Sequence, residues 1–89
     1  MKCYIVTADA PQATRLRIRD YLRDKNSHFC AIHKHCWAIV TEKTAKQIRD
    51  ELTPFLSEDD RLFVVRSGTE AAWRHPYSPK HSAWLKKYL

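Results

Sequence analysis

Four short β-forming runs, separated by two helical patterns, constrain the fold of this chain more than any other feature. The runs lie at residues 2–7, 28–32, 36–41 and 61–66 and are rich in β-branched and aromatic residues. The order is strand, helix, strand, strand, helix, strand. This order predicts a ferredoxin-like βαββαβ fold of the α+β class, with a four-stranded antiparallel sheet and two helices on one face.

Local signals place the two helices between these runs. The first is predicted over residues 9–25, with Ile18 among the apolar residues that recur on one side. The second begins after Thr44, which forms a capping-box pattern with Gln47, and Pro54 kinks or ends it. Both helices therefore have defined ends before any tertiary contact is considered.

Length and composition predict a single small domain. The 89 residues are 44% hydrophobic and 29% charged, which is typical of a soluble globular chain. We divide it into a ferredoxin-like core at 1–67 and an extension at 68–89 that ends in a short helix. No apolar run is long enough to cross a membrane or to form the core of a signal peptide, so we expect a cytoplasmic protein with no membrane partner.

The strands are apolar on both faces, whereas two helices can cover only one face of a sheet. The second face must then be buried against the extension, against a second copy of the chain, or against both. We predict a homodimer. Its predicted interface residues are Tyr4, Val6, Trp37 and Trp73.

The formal net charge of +6 predicts contact with a polyanion, most often nucleic acid. On the first helix an arginine stripe suits a phosphate backbone. It comprises Arg15, Arg17, Arg19 and Arg23. The alternative is a solvated helix face, neutralised by Asp20 and Asp24 through i, i+4 pairing. A second basic group comprises Lys80, Lys86 and Lys87.

Two further groups of residues are candidates for metal binding. Asp9 follows the first strand and could meet its symmetry mate in a dimer to hold Mg²⁺; the alternative is an ordinary helix N-cap. A second set of metal-ligand types is Cys30, His33, His35 and Cys36. Their spacing is poor for zinc, and the alternative is a basic hairpin tip with buried cysteines.

Six segments together resemble one known family. They are Tyr4-Ile-Val-Thr-Ala-Asp9, Trp37 with Ile39 and Val40, Ala45-x-x-Ile48-Arg49-Asp50-x-Leu52, Asp59-Asp60-Arg61-Leu62, Ala72-Trp73-Arg74 and Trp84-Leu85-Lys86. The chain resembles the small CRISPR-associated-protein-two-like chains called the "SinR family", which are related to virulence-associated protein D. The resemblance covers nearly the whole chain.

This resemblance implies a ferredoxin-like homodimer in which Asp9 is the catalytic residue. Asp9 would hold Mg²⁺ or Mn²⁺, and the dimer would be a metal-dependent endonuclease that cleaves RNA or DNA. The chain departs from the family at Ala8, where a Tyr is usual, and lacks the early second-strand serine of the nucleases. The alternatives are therefore a catalytically inactive nucleic-acid-binding or scaffolding dimer, and a protein–protein module of a toxin or regulatory pair.

Overall fold

The computed structural model describes residues 1–68 and 70–89, and it confirms the predicted fold. The strands are β1 (Lys2–Asp9), β2 (His28–His33), β3 (Cys36–Thr41) and β4 (Arg61–Arg66). The helices are α1 (Gln12–Lys25), α2 (Ala45–Leu52) and α3 (Pro79–Tyr88), and a 3₁₀ turn at Thr53–Phe55 follows α2. The sheet order is β2-β3-β1-β4, with every neighbouring pair antiparallel. No helix within the described ranges has both the length and the apolar character needed to span a bilayer.

Helices α1 and α2 cover one side of the sheet, here called the helix face. Alternate strand residues, including Val6 and Ile39, pack there against α1 through Ile18 and Leu22 and against α2 through Leu52. The predicted capping box opens α2, since the Thr44 hydroxyl accepts from the Gln47 backbone N–H at 3.2 Å and Gln47 Oε1 accepts from the Thr44 N–H at 2.9 Å. The helix face is the main core of the protein.

The opposite side of the sheet, here called the tail face, is covered in part by α3. Leu85 of α3 is 2% exposed and packs in one cluster with Cys3, Cys30 and Val40. A hydrogen bond between the Tyr88 hydroxyl and His28 Nδ1, 3.2 Å long, joins the end of α3 to β2. The second apolar face predicted from the sequence therefore exists, and the chain's own extension covers the β2–β3 half of it.

The predicted dimer interface needs correction at three of its four residues. Tyr4, Val6 and Trp37 are at most 4% exposed and lie on the helix face beneath α1 and α2. They cannot contact a second copy while the core is intact. Trp73 packs in the tail-face cluster, and its indole N–H donates to Ser82 Oγ of α3 at 3.1 Å. These four aromatic and apolar side chains therefore hold one chain together.

A polar cluster joins α1, α2 and the segment before α2. Lys43 Nζ and the Tyr21 hydroxyl each donate to Glu51 Oε1 at 2.8 Å. The hydrogen bond from Lys43 is the main reason that the pKa of Glu51 lies below its ordinary value. The same carboxylate raises the pKa of Tyr21, because it accepts a hydrogen bond from the phenolic O–H and repels the phenolate.

We expect acid to weaken the fold partly through Glu51. A carboxyl group whose pKa is lower in the folded than in the unfolded state stabilises the fold above the unfolded pKa, about 4.3, and this contribution disappears as the pH falls through the folded pKa. The effect should stay below about 1 kcal/mol, since both partners are partly exposed to solvent.

Urea denaturation at about pH 6 and about pH 3 measures this contribution. The loss of unfolding free energy on acidification should be smaller in Glu51→Gln than in the wild type. Glu58→Gln, on an exposed turn, is the control. On acidification it should lose as much unfolding free energy as the wild type does. An unchanged acid dependence in Glu51→Gln would contradict the prediction.

Candidate nucleic-acid interface

A cleft of about 410 Å³ lies between the first half of α1 and the β2–β3 hairpin. Three cations line it, and we call it the cationic cleft: Arg15 and Arg19 come from α1, and Lys34 comes from the hairpin tip. No carboxylate among the described residues lines this cleft. Its electrostatic character therefore favours an anion.

Arg15 is held in place by two backbone carbonyls. Its Nε donates to the Ala10 carbonyl at 3.0 Å, and its Nη1 donates to the Lys34 carbonyl at 2.9 Å. A guanidinium group has five N–H donors, so three remain for another acceptor. Since both of its partners are uncharged, the side chain ties α1 to the hairpin and keeps its full positive charge.

The rest of the arginine stripe is partly neutralised. Arg19 Nε and Nη2 both donate to Asp20 Oδ1, at 3.0 and 2.8 Å. Arg23 pairs with Asp20 at 3.2 Å and with Asp24 at 3.3 Å. The predicted i, i+4 pairing was wrong, because no carboxylate of α1 lies four residues from an arginine of the stripe; the pairs are i, i+1 and i, i+3 instead.

The ion pairs leave the stripe positive. Arg17 is exposed and forms no ion pair within the described ranges. The four arginines outnumber the two aspartates, and the pairs are themselves exposed to solvent. Within the described chain, Arg15 and Arg17 form no ion pair with a carboxylate, whereas Arg19 and Arg23 share Asp20 and Asp24.

Asp9 is the last residue of β1, and its side chain is 74% exposed. The N-cap of α1 is Pro11, with no side-chain capping bond, so the N-cap interpretation of Asp9 was wrong. The physical reason is that β1 continues to Asp9 in register with β4, where it lies opposite Arg61. Arg61 Nη1 donates to Asp9 Oδ2 at 3.4 Å.

The donor set around Asp9 does not by itself fit a hard divalent cation. Asp9 shares an open cleft of about 320 Å³ with Thr7, His33 and His35. No group of three or more His, Cys, Asp or Glu side chains in the described part of the chain could hold a metal. Mg²⁺ prefers carboxylate oxygens, and one chain offers one carboxylate here, which is already paired with Arg61.

The hairpin histidines are engaged with the backbone. His33 Nδ1 accepts from the His35 N–H at 3.2 Å, and His35 Nδ1 bonds to the Ala8 carbonyl at 3.1 Å. Cys30 and Cys36 are buried, and burial raises the pKa of both thiols. The arrangement matches the predicted basic hairpin tip with buried cysteines.

The third cysteine follows the same pattern. Cys3 is also free and buried, and burial raises the pKa of its thiol. A raised pKa keeps a thiol in its unreactive form at neutral pH. All three cysteines therefore serve as small apolar residues of the core, as the sequence predicted.

No family model, no curated protein and no solved structure matches this chain. The resemblance to CRISPR-associated-protein-two-like chains therefore stays a prediction. A function for the protein has to be argued from its own geometry and charge.

Among the lining residues of the cationic cleft that sequence reasoning missed, Lys34 and Tyr77 matter most for binding. Lys34 lies in the predicted basic hairpin tip but was not named as a binding residue, and Tyr77 was not singled out at all. Tyr77 lies in the extension, and no periodicity links it to α1. The one local signal is its position between Pro76 and the Ser78-Pro79 helix start, since prolines restrict the backbone on both sides of an aromatic side chain.

Proposed function

We propose that this protein binds nucleic acid, with the cationic cleft and the exposed side of α1 contacting phosphate groups. The observation that carries the proposal is that Arg15 and Lys34, together with Arg19 in its exposed pair with Asp20, line one cleft that no carboxylate of the described chain lines. Arginine and lysine supply most contacts to phosphate oxygens in nucleic-acid complexes. The net charge of +6 adds a long-range attraction.

The same groups predict how the protein binds. Contacts to phosphate fix the position of a protein on the strand but read no base sequence. Affinity should therefore depend steeply on salt and little on sequence. This proposal corresponds to the non-catalytic binding or scaffolding protein among the alternatives, and we expect it to act in the cytoplasm.

A charge-matched pair of variants tests the proposal. Arg19→Gln/Lys34→Gln removes two cations of the cleft and leaves Arg15, with its two carbonyl bonds, in place. Lys46→Gln/Arg49→Gln removes two exposed cations from α2, away from the cleft. Binding to labelled oligonucleotides by fluorescence anisotropy is measured across a series of salt concentrations.

The cleft variant should bind every sequence more weakly, and its slope of log K against log salt should be shallower by about 1.4–1.8, the loss of two phosphate contacts. The α2 variant has the same net charge as the cleft variant, but its affinity and its salt slope should stay close to those of the wild type. Equal behaviour of the two variants would remove the cleft from the binding surface. The basic group on α3 would then be the next candidate.

We also propose that the protein is a homodimer, through the part of the tail face that α3 leaves uncovered. Phe63 and Val65 of β4 are 61% and 41% exposed there. β4 is an edge strand, so one side of its backbone has no partner strand in the described chain. A second β4 related by a two-fold axis presents the same groups and is complementary to it.

Sedimentation at micromolar concentration tests the dimer. The wild type should sediment with a molar mass of twice 10.5 kDa, and Phe63→Ser should shift the equilibrium toward the monomer. Arg49→Gln, on the far side of the sheet, should not. A wild type that sediments as a stable 10.5 kDa monomer would contradict the proposal.

Metal-dependent cleavage at Asp9 stays a prediction from the resemblance. If it occurs, Asp9→Asn should abolish cleavage of RNA or DNA in Mg²⁺ or Mn²⁺. The unfolding free energy should change by less than about 1 kcal/mol, since the ion pair of Asp9 with Arg61 is exposed. Asp59→Asn, on the turn before β4, is the control. Cleavage by neither metal in the wild type, or cleavage that persists in Asp9→Asn, would remove Asp9 from catalysis.

A further inference from the structure

We infer that the cationic cleft binds one nucleotide of a single strand, with its base stacked on Tyr77 and its phosphate held by the cleft cations. This inference rests on the proposed nucleic-acid binding and specifies the form of nucleic acid. Besides its three cations, the cleft has an apolar floor and an aromatic wall. We call Leu16, Ala31 and Trp37 the floor and Tyr77 the wall; Gln12 and His33 complete the lining.

Tyr77 is presented as a stacking platform. Tyr77 is 59% exposed, although tyrosine side chains usually bury most of their surface. The ring packs edge-to-face against His81, with ring centroids 5.6 Å apart. Ser78 Oγ bonds to His81 Nδ1 at 2.7 Å and accepts from the His81 backbone N–H at 3.4 Å. Tyr77 thus packs against His81 and keeps more than half of its surface exposed.

The floor of the cleft suits a base rather than water. Leu16 is 39% exposed on α1 at a position that borders the cleft, and burial of apolar surface by a planar ring is favourable. The volume of about 410 Å³ lies within the usual range of about 300–1,000 Å³ for small-ligand sites. A single nucleotide combines the two chemistries of the cleft, an aromatic base and an anionic phosphate.

The position of the aromatic wall favours a single strand over a duplex. Bases of a duplex are stacked inside the helix and do not reach an aromatic side chain without being unstacked. Bases of a single strand are free to stack on tyrosine while arginine and lysine follow the backbone. The cleft joins these two contacts in one place, with Arg15 already oriented by its carbonyl bonds.

Tyr77→Ala and Tyr77→Phe test the inference with four probes: a labelled single strand, the matching duplex, an abasic strand of the same length, and adenosine monophosphate. Tyr77→Ala should weaken single-strand binding about 5- to 150-fold, the contribution of one stacked base. Tyr77→Phe keeps the ring and should bind like the wild type. Duplex and abasic binding should be the same in all three proteins. Thermal unfolding confirms that each variant is folded.

Other outcomes separate this inference from the function on which it rests. If Tyr77→Ala binds the single strand as well as the wild type does, or loses duplex binding equally, Tyr77 does not stack on a base and the inference is overturned. If adenosine monophosphate binds as tightly as the strand, the ligand is a free nucleotide and the single-strand assignment is overturned. If the wild type binds no nucleic acid at low salt, the proposed function itself fails.

Discussion

Leu52→Ala is expected to lower the free energy of unfolding by about 2–5 kcal/mol. Leu52 has no exposed surface and lies where α2 meets α1 and the sheet, so the substitution removes buried methyl groups and leaves a cavity among its neighbours. A chain of this length has a total stability of roughly 4–13 kcal/mol. The substitution should therefore remove a large share of the total stability and lower the urea midpoint correspondingly.

Urea denaturation followed by circular dichroism measures this loss. Lys46→Ala, on the exposed side of the same helix, is the matched control and should change stability by less than about 0.5 kcal/mol. A change in Leu52→Ala no larger than that of the control would mean that α2 does not pack on the sheet as described.

Leu85→Ala is expected to loosen α3 from the tail face and to expose the thiol of Cys30. Leu85 is 2% exposed and is the buried residue of α3, while Cys30 beneath it is 3% exposed. A loss of about 2 kcal/mol in the docking of α3 raises the population of the open state roughly 30-fold. Alkylation of Cys30 by iodoacetamide should accelerate accordingly.

Mass spectrometry of the alkylated protein follows each thiol separately. Cys36 lies outside the tail-face cluster and should react at its wild-type rate, which makes it an internal control. Lys86→Ala, on the exposed side of α3, should leave the reactivity of Cys30 unchanged. If Leu85→Ala protects Cys30 as well as the wild type does, α3 is not what covers that face.

Local sequence patterns were sufficient for the elements and their order. The capping box at Thr44 formed as written, because its two hydrogen bonds join residues three apart and need no tertiary partner. The failures were also local in origin. A helix N-cap was one of the two interpretations of Asp9, because an Asp two residues before Pro11 is typical of a helix start, yet pairing with β4 extended the strand through it.

The sequence was less informative about which face of the sheet the helices cover. Period-two alternation shows that Tyr4 and Val6 share one face of β1 but does not show which face the helices cover. That choice depends on the crossover connections and on where α3 docks. The predicted interface therefore took three residues from the helix face, while the exposed apolar residues of the tail face, Phe63 and Val65, were on β4.

The sequence by itself determined the α+β class, the strand and helix order, the two apolar faces of the sheet and the positive charge, because periodicity, capping and composition act over a few residues. Only the tertiary structure decided where the charge is concentrated and what accompanies it. Arg15, Lys34 and Tyr77 belong to a helix, a hairpin tip and the extension, and no local rule relates them. Antiparallel pairing of β2 with β3 and docking of α3 on β2 bring these segments to the same edge of the sheet, because burial of the shared apolar core sets their positions.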